Sequence, residues 1–300
     1  MVAPYFGLIR VQSAGFLFLV AAAIFTGGGP SARAELVLER LPENQIQQVK
    51  VILQKLAPMI KAREAEETLA TLRFDELYAP LAEDERAFVR EFQKFDPIKA
   101  GIQTHWHGIA DGKIELKAVQ NQTLRKDGKP FVIPTQYVPP KVYKAYILMM
   151  DAMQQDLGKR LYIESAYRSS AYQLYLFLSY LQNHDYSVRE TAHWNAFPGY
   201  SEHGNPKRQA LDFINETAIS GEQNSEDFAT LEEYQWLLQH GPAYGFELSF
   251  PKKDPQGIGF EPWHWRYVGK KARKRGLEEH KNVKNPSKTT KLPPEEAPAA

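Results

Sequence analysis

The hydrophobic repeat is purely helical up to about residue 97 and mixed beyond Gly101, and that change limits the architectures open to this chain. From Leu41 to about Pro97, apolar residues recur at three- and four-residue steps, as in Ile46, Val49, Leu53 and Leu56, and later in Phe88, Phe92 and Phe95. Pro58, Pro80 and Pro97 punctuate these helical segments. After Gly101 the runs shorten and alternate, and residues 113–119 follow an Asp111-Gly112 turn signal into a strand. Pro139-Pro140 then opens a helix with Val142, Tyr146, Met149, Met153 and Leu157 on one face and Gly158 placed to end it. A short strand is expected at residues 161–165. Ser169-Ser170 caps a helix striped by Leu174, Phe177, Leu178 and Leu181. Residues 183–204 read as a loop, and residues 231–240 as a helix stopped by Gly241-Pro242. β-like runs at 210–214, 246–250 and 260–268 complete the pattern. Helices and short strands mix without a regular βαβ repeat, which predicts an α+β fold and not a doubly wound sheet.

Four segments follow. Residues 1–34 read as a secretory leader: Arg10, an unbroken small and apolar run over residues 14–25, a break at Gly27 to Pro30, and the small-x-small site Ala32-Arg33-Ala34. That run falls short of the roughly 20 residues needed to span a bilayer, so no transmembrane segment is expected after cleavage. Residues 35–100 are expected to form a helical N-terminal region, residues 101–269 a mixed domain holding the polar segments described below, and residues 270–300 a tail. Within the tail, residues 270–291 hold nine Lys/Arg and two Glu, a composition that predicts disorder and allows electrostatic contact with anionic cell-wall polymers. Removing Arg10 and Arg33 takes Lys+Arg from 37 to 35 against 36 Asp+Glu, a net charge of −1, which gives no support for nucleic-acid binding. The chain has no cysteine. Packing, with or without a metal, must therefore stabilise an exported protein, and thiolate ligands and nucleophiles are excluded.

Three segments concentrate polar residues where a core would reject them: Ser165-Ala-Tyr-Arg-Ser-Ser-Ala-Tyr-Gln173, then Pro198-Gly-Tyr-Ser-Glu-His203 leading to Ala210-Leu211-Asp212, then Glu261-Pro-Trp-His-Trp-Arg-Tyr-Val-Gly269. Zinc hydrolysis needs three N/O ligands, an open position and a carboxylate that is not a ligand. His203, Asp212 and His264 supply a candidate ligand set. Glu261 lies three residues before His264, and Pro262 between them disfavours regular structure. Arg168 offers a fixed cation for a carboxylate or an oxyanion. Each residue alone also has a structural explanation: a packed core histidine, an aspartate capping a turn, an arginine paired with Glu164. His105 and His107 flank Trp106 and would share one side of a strand. No carboxylate at suitable spacing joins them, so they read as structural or cleft-lining.

The three polar segments together resemble the VanY-type D-Ala-D-Ala carboxypeptidases of the LAS metallopeptidase group, whose motifs S-x-Y-R-S-x-x-x-Q, P-G-x-S-E-H with A-x-D, and E-x-W-H-x-R-Y-V-G occur here in the same order. The resemblance spans residues 139–269. It implies a small antiparallel sheet with flanking helices. It also implies Zn²⁺ on His203, Asp212 and His264, Glu261 as general base and acid, Arg168 at the scissile carbonyl or oxyanion, and Ser201 and Gln173 seating the substrate. The implied reaction removes the terminal D-alanine from peptidoglycan stem peptides outside the cytoplasmic membrane, by a periplasmic or cell-wall-associated protein. An endopeptidase of the same chemistry and a non-catalytic zinc-bearing wall-binding module are the alternatives. One departure is visible: eight residues separate His203 from Asp212 where the family has six, a two-residue extension tipped by Lys207-Arg208.

Overall fold

The computed structural model describes residues 36–205, 207–221, 225–253 and 259–269. The expected leader and the basic tail lie outside these residues. The described chain from Leu36 onward falls within one compact unit.

Its first part is helical, as expected: α1 (Glu43–Ala65), α2 (Phe74–Tyr78) and α3 (Glu83–Lys94). The buried stripe of α1 runs through Ile46, Val49, Ile52, Leu56 and Ile60, with Leu53 only partly covered. Pro58 does not end the helix; it sits inside α1. Pro58 and Gln54, whose carbonyl it leaves without a helical partner, both face solvent, where water can satisfy the freed oxygen.

Two short antiparallel ribbons follow, β1 (Lys117–Val119) with β4 (Gln136–Val138), and β2 (Thr123–Lys126) with β3 (Lys129–Val132). The strand expected from residue 113 is thus confined to its last three residues, and residues 103–110, with His105 and His107, form no strand. Then come α4 (Pro140–Leu157), β5 (Tyr162–Ser165), α5 (Ser170–Tyr180), α6 (Val188–Trp194), β6 (Ala210–Ile214), α7 (Ser225–Thr230), α8 (Glu232–Tyr244), β7 (Phe246–Phe250) and β8 (Glu261–Tyr267). α6 occupies part of the region read as loop. It has only seven residues and buries just Val188 and Thr191, too few to show a period, although Ser187 caps it by accepting from the Glu190 amide at 3.1 Å. α8 runs through Gly241-Pro242 to Tyr244. Gly241 serves close packing instead of termination: a Cβ there would meet the Trp265 ring at 3.0 Å.

The main sheet has order β5-β6-β8-β7 and is antiparallel throughout. One face carries Ile163, Leu211, Phe213 and Trp265 into a core with Tyr146, Met149, Met150 and Met153 of α4 and Trp236 and Leu237 of α8. By strand alternation Asp212 points the other way. A second core joins α1, α2 and α3 to α5 and α6, with Phe88, Phe92, Leu174, Phe177, Leu178 and Phe197 among its members. Phe177 lies 6.1 Å from Phe92 and 4.1 Å from Phe197, centroid to centroid. Backbone bonds stitch the same regions: Ser169 donates to Ala70 O at 2.9 Å, Leu41 to Tyr186 O at 3.0 Å and Arg189 to Leu38 O at 2.9 Å. The amino-terminal helices therefore share a core with the helix that follows Arg168. Among the described residues no helix is long and apolar enough to cross a membrane.

Candidate active site

The sheet face opposite α4 and α8 collects the three polar segments. Asp212 sits at the middle of β6, which is buried along its whole length, and is paired in register with Ser165 on β5 and His264 on β8. His203 arrives on a 3-10 turn, Glu202–Gly204, whose N-cap Ser201 accepts from the His203 amide at 3.3 Å. Ligand atoms of His203, Asp212 and His264 all lie within 4.8 Å of one another.

Alternation alone would put Glu261 and His264, three residues apart on one strand, on opposite faces. The β7–β8 pairing prevents this. Leu248 pairs with Trp265 but Phe250 with Glu261, so four residues of β8 oppose two of β7. Such a bulge re-aims a side chain. Here it brings Glu261 Oε2 to 3.7 Å from His264 Nδ1.

The hydrogen bonds at each imidazole sort its two nitrogens. His203 Nδ1 is 2.7 Å from Ala166 O, leaving Nε2 3.1 Å from Asp212 Oδ2 but without hydrogen-bond geometry. A buried imidazole nitrogen with no hydrogen-bond partner, beside a carboxylate, suits a cation. His264 Nδ1 is 2.8 Å from Asp212 Oδ1, and its Nε2 is 3.1 Å from Glu202 Oε2. Two imidazoles and one carboxylate converging in a buried site fit the N/O donor preference of zinc.

The electrostatics follow from burial and crowding. Burial and the neighbouring Arg168 cation lower His203 to about 4, against the opposing pull of Asp212. Burial would lower His264 too, but Asp212, Glu202 and Glu261 outweigh it and raise the ring to about 10. Asp212 would be raised by burial, yet the two histidines hold it far below the usual carboxylate range. Burial pushes Glu261 up to about 7, partly offset by His264 and Arg168. The site thus pairs one firmly ionised carboxylate with one poised near neutrality.

Arg168 donates its amide to His203 O at 3.2 Å, and its Nε is buried without a partner. Gln173 is buried on α5; its amide nitrogen holds Ala196 O at 2.8 Å and its oxygen has no partner. Gln173 thus tethers the chain leading into the Pro198–His203 motif, and Ser201 caps the turn that carries His203. At the end of the longer His203–Asp212 segment Gln209, fully buried, donates from its side chain to His203 O and Ala210 O at 2.9 Å each. His107 is half-buried and lowered by burial, with Glu202 pulling it the other way. Its amide and that of Gly108 both donate to Gly199 O, at 2.7 and 3.1 Å. Gly199 has φ +87°, and a Cβ there would strike the Trp106 ring at 2.3 Å, so residues 106–109 lie against the motif leading to His203.

Sequence reasoning passed over Glu202. It is buried and accepts from Ser249 Oγ at 2.5 Å, Arg266 Nη1 at 2.8 Å and His264 Nε2 at 3.1 Å. Burial would raise its carboxyl, but these three donors hold it far below the ordinary range. Its place in Ser-Glu-His was the one available signal.

The VanY profile, described as D-alanyl-D-alanine carboxypeptidase, matches residues 135–270. The putative carboxypeptidase YodJ of Bacillus subtilis is 31% identical over 216 residues, covering 62% of this chain and 71% of that protein. A D-alanyl-D-alanine carboxypeptidase of Enterococcus faecalis is 38% identical over 85 residues, 28% of each chain. The bifunctional D-Ala-D-Ala dipeptidase and carboxypeptidase VanXYC of Enterococcus gallinarum is 27% identical over 168 residues, covering 50% of this chain and 80% of that protein. The matched region holds every candidate ligand, the bulge-aimed Glu261 and Arg168, and with the extended likeness to YodJ it places the chain in the VanY family of D-alanyl-D-alanine carboxypeptidases.

Proposed function

We propose that this protein is a zinc-dependent peptidase that removes the terminal D-alanine from peptidoglycan stem peptides ending in D-Ala-D-Ala. The observation that carries the reading is the convergence of His203, Asp212 and His264 beside a carboxylate that the β8 bulge turns toward them. Those three residues would hold the ion. The chemistry supplied by zinc when bound is Lewis-acid polarisation of a carbonyl oxygen and acidification of water.

The chain's own groups supply the rest. Glu261, poised near neutrality, takes a proton from the attacking water and returns it to the departing amine nitrogen. Asp212, ionised across the working range, keeps negative charge beside both imidazoles. Arg168, whose charge acts on both His203 and Glu261, would steady charge developing on the scissile carbonyl or bind the terminal carboxylate of the substrate. Gln173 and Ser201 fix the segment that carries His203 and would help seat the substrate, while Trp106 packs on Tyr200 of the same segment.

The place of action we infer is outside the cytoplasmic membrane, in the periplasm or at the cell wall. The leader-like pattern of residues 1–34 supports this, as does the location of the substrate. The test is mass spectrometry of defined stems. Pentapeptides ending in D-Ala-D-Ala should lose one D-alanine, tetrapeptides should react poorly, and chelation should stop both reactions. Fragments cut inside the stem would replace this reading with an endopeptidase.

A further inference from the structure

We propose that Glu202 is a positioning residue for the metal centre: it fixes the ring of His264 so that Nδ1 is the nitrogen presented beside Asp212. The inference rests on the reading that His203, Asp212 and His264 bind zinc.

An imidazole has two nitrogens, and the partner of one decides which is free to act as a ligand. At His203 a main-chain carbonyl makes that choice, because Nδ1 is engaged by Ala166 O at 2.7 Å and Nε2 is left over. At His264 the choice is reversed. Nε2 is engaged by Glu202 Oε2 at 3.1 Å, and Nδ1 faces Asp212 Oδ1 at 2.8 Å and Glu261 Oε2 at 3.7 Å. Glu202 is the one carboxylate on the outer side of that ring with such a contact among the described residues.

Its own position is over-determined. Ser249 Oγ of β7 donates to the same oxygen that meets His264, at 2.5 Å. Arg266 of β8 donates to the other oxygen at 2.8 Å, and Arg266 is itself 3.8 Å from Glu247. Glu202 is adjacent to His203, so a single side chain ties the turn bearing one ligand to the strand bearing another. A carboxylate held by three donors and buried to 7% exposure has little freedom to follow a rotating ring. It therefore sets the ring plane, and its charge strengthens the imidazole as a donor. A purely structural role, stapling the turn to the sheet, would cost stability on removal. It would leave the zinc affinity of the folded molecules unchanged.

The experiment separates the two. Metal-stripped full-length wild type, Glu202→Gln and Glu202→Ala are titrated with Zn²⁺ against a chromophoric chelator, and circular dichroism of the same samples gives the folded fraction. Partners of this kind typically contribute about 10–100-fold in metal affinity. Glu202→Gln keeps an acceptor oxygen without the charge and should bind about tenfold more weakly, and Glu202→Ala more weakly still, with the folded signal retained. Wild-type affinity in folded Glu202→Gln overturns the proposal, as does a loss of zinc that merely tracks a loss of folded signal in both variants. Failure of wild type itself to bind zinc overturns the metal-centre reading instead, so the two failures are distinguishable.

Discussion

Asp212 and His264 face each other across the two central strands of the main sheet, with Asp212 Oδ1 2.8 Å from His264 Nδ1. Directly opposed residues on paired antiparallel strands are held a few ångströms apart by the ladder itself. Two of the three candidate ligands are therefore placed by main-chain hydrogen bonds, independent of any loop. Only His203 depends on a turn, and that turn is fixed by Ser201, Ala166 and Gln209. The two-residue extension before Asp212 is accommodated without disturbing the pair.

The first consequence concerns metal retention. Wild type should hold about one zinc per chain after dialysis, and His203→Ala or His264→Ala should lose it, because three protein ligands are the minimum for a catalytic zinc site. Elemental analysis of the three proteins decides the matter. Equal zinc in all of them would mean that the ligands lie elsewhere.

Glu261→Gln keeps the side chain's size but removes its capacity to accept a proton. Hydrolysis should drop by about 10²–10⁴-fold, the usual contribution of a positioned acid-base group, with zinc content unchanged. Asp212→Asn is the contrast and should weaken zinc retention as well as turnover. Near-normal turnover in Glu261→Gln would show that another group moves the proton, and loss of zinc would make Glu261 a ligand.

Phe177 lies between Phe92 of α3 and Phe197 of the loop leading to His203. Phe177→Ala should destabilise the protein by about 3–5 kcal/mol, the range for emptying a buried aromatic site. Because the amino-terminal helices share this core with α5, urea unfolding followed by tryptophan fluorescence and by circular dichroism should show coincident transitions in both proteins. Separate transitions would mean that the helical region folds independently.

Glu85 tests the interface between α1 and α3. The Lys55 ammonium at 2.6 Å and the Ala82 amide at 2.8 Å hold its carboxyl below the ordinary value. A carboxyl whose folded pKa is lowered contributes stability that is complete above its unfolded pKa and is lost as pH falls through the folded one. Lys55 is 43% exposed, so solvent screens the pair and Glu85→Gln should cost only about 1 kcal/mol at pH 7. The difference between wild type and variant, measured by urea unfolding, should shrink once the pH drops below the usual carboxylate range. A difference independent of pH would assign the effect to packing.

Composition and local pattern were enough for the class of fold, the longer helices, the strands of the main sheet and the residue types of the site, but not for the ribbon strands β2, β3 and β4 or the short helices α6 and α7. The runs at 210–214 and 246–250 appear as the strands β6 and β7 at those limits, because a strand buried on a sheet is written as a short apolar run between turn signals. The Gly158 stop and the Ser169 cap were equally legible, since both depend on neighbours within a few residues. Pro58 and Gly241-Pro242 misled: whether a proline ends a helix depends on whether the freed carbonyl reaches water, and whether a glycine ends one depends on what packs against it, here Trp265. The convergence of His203, Asp212 and His264 was implied by motif resemblance, but the means were not. The bulge that turns Glu261 onto the face of His264 arises from the mismatch between β7 and β8, a property of two strands that neither carries alone. Glu202 was legible only as a polar letter beside a histidine. Its role needs Ser249, Arg266 and His264, drawn from strands 47 to 64 residues away, to close around one carboxylate. Local order is written in local spacing, whereas the partner of each buried charge is chosen by sheet registration and long-range packing.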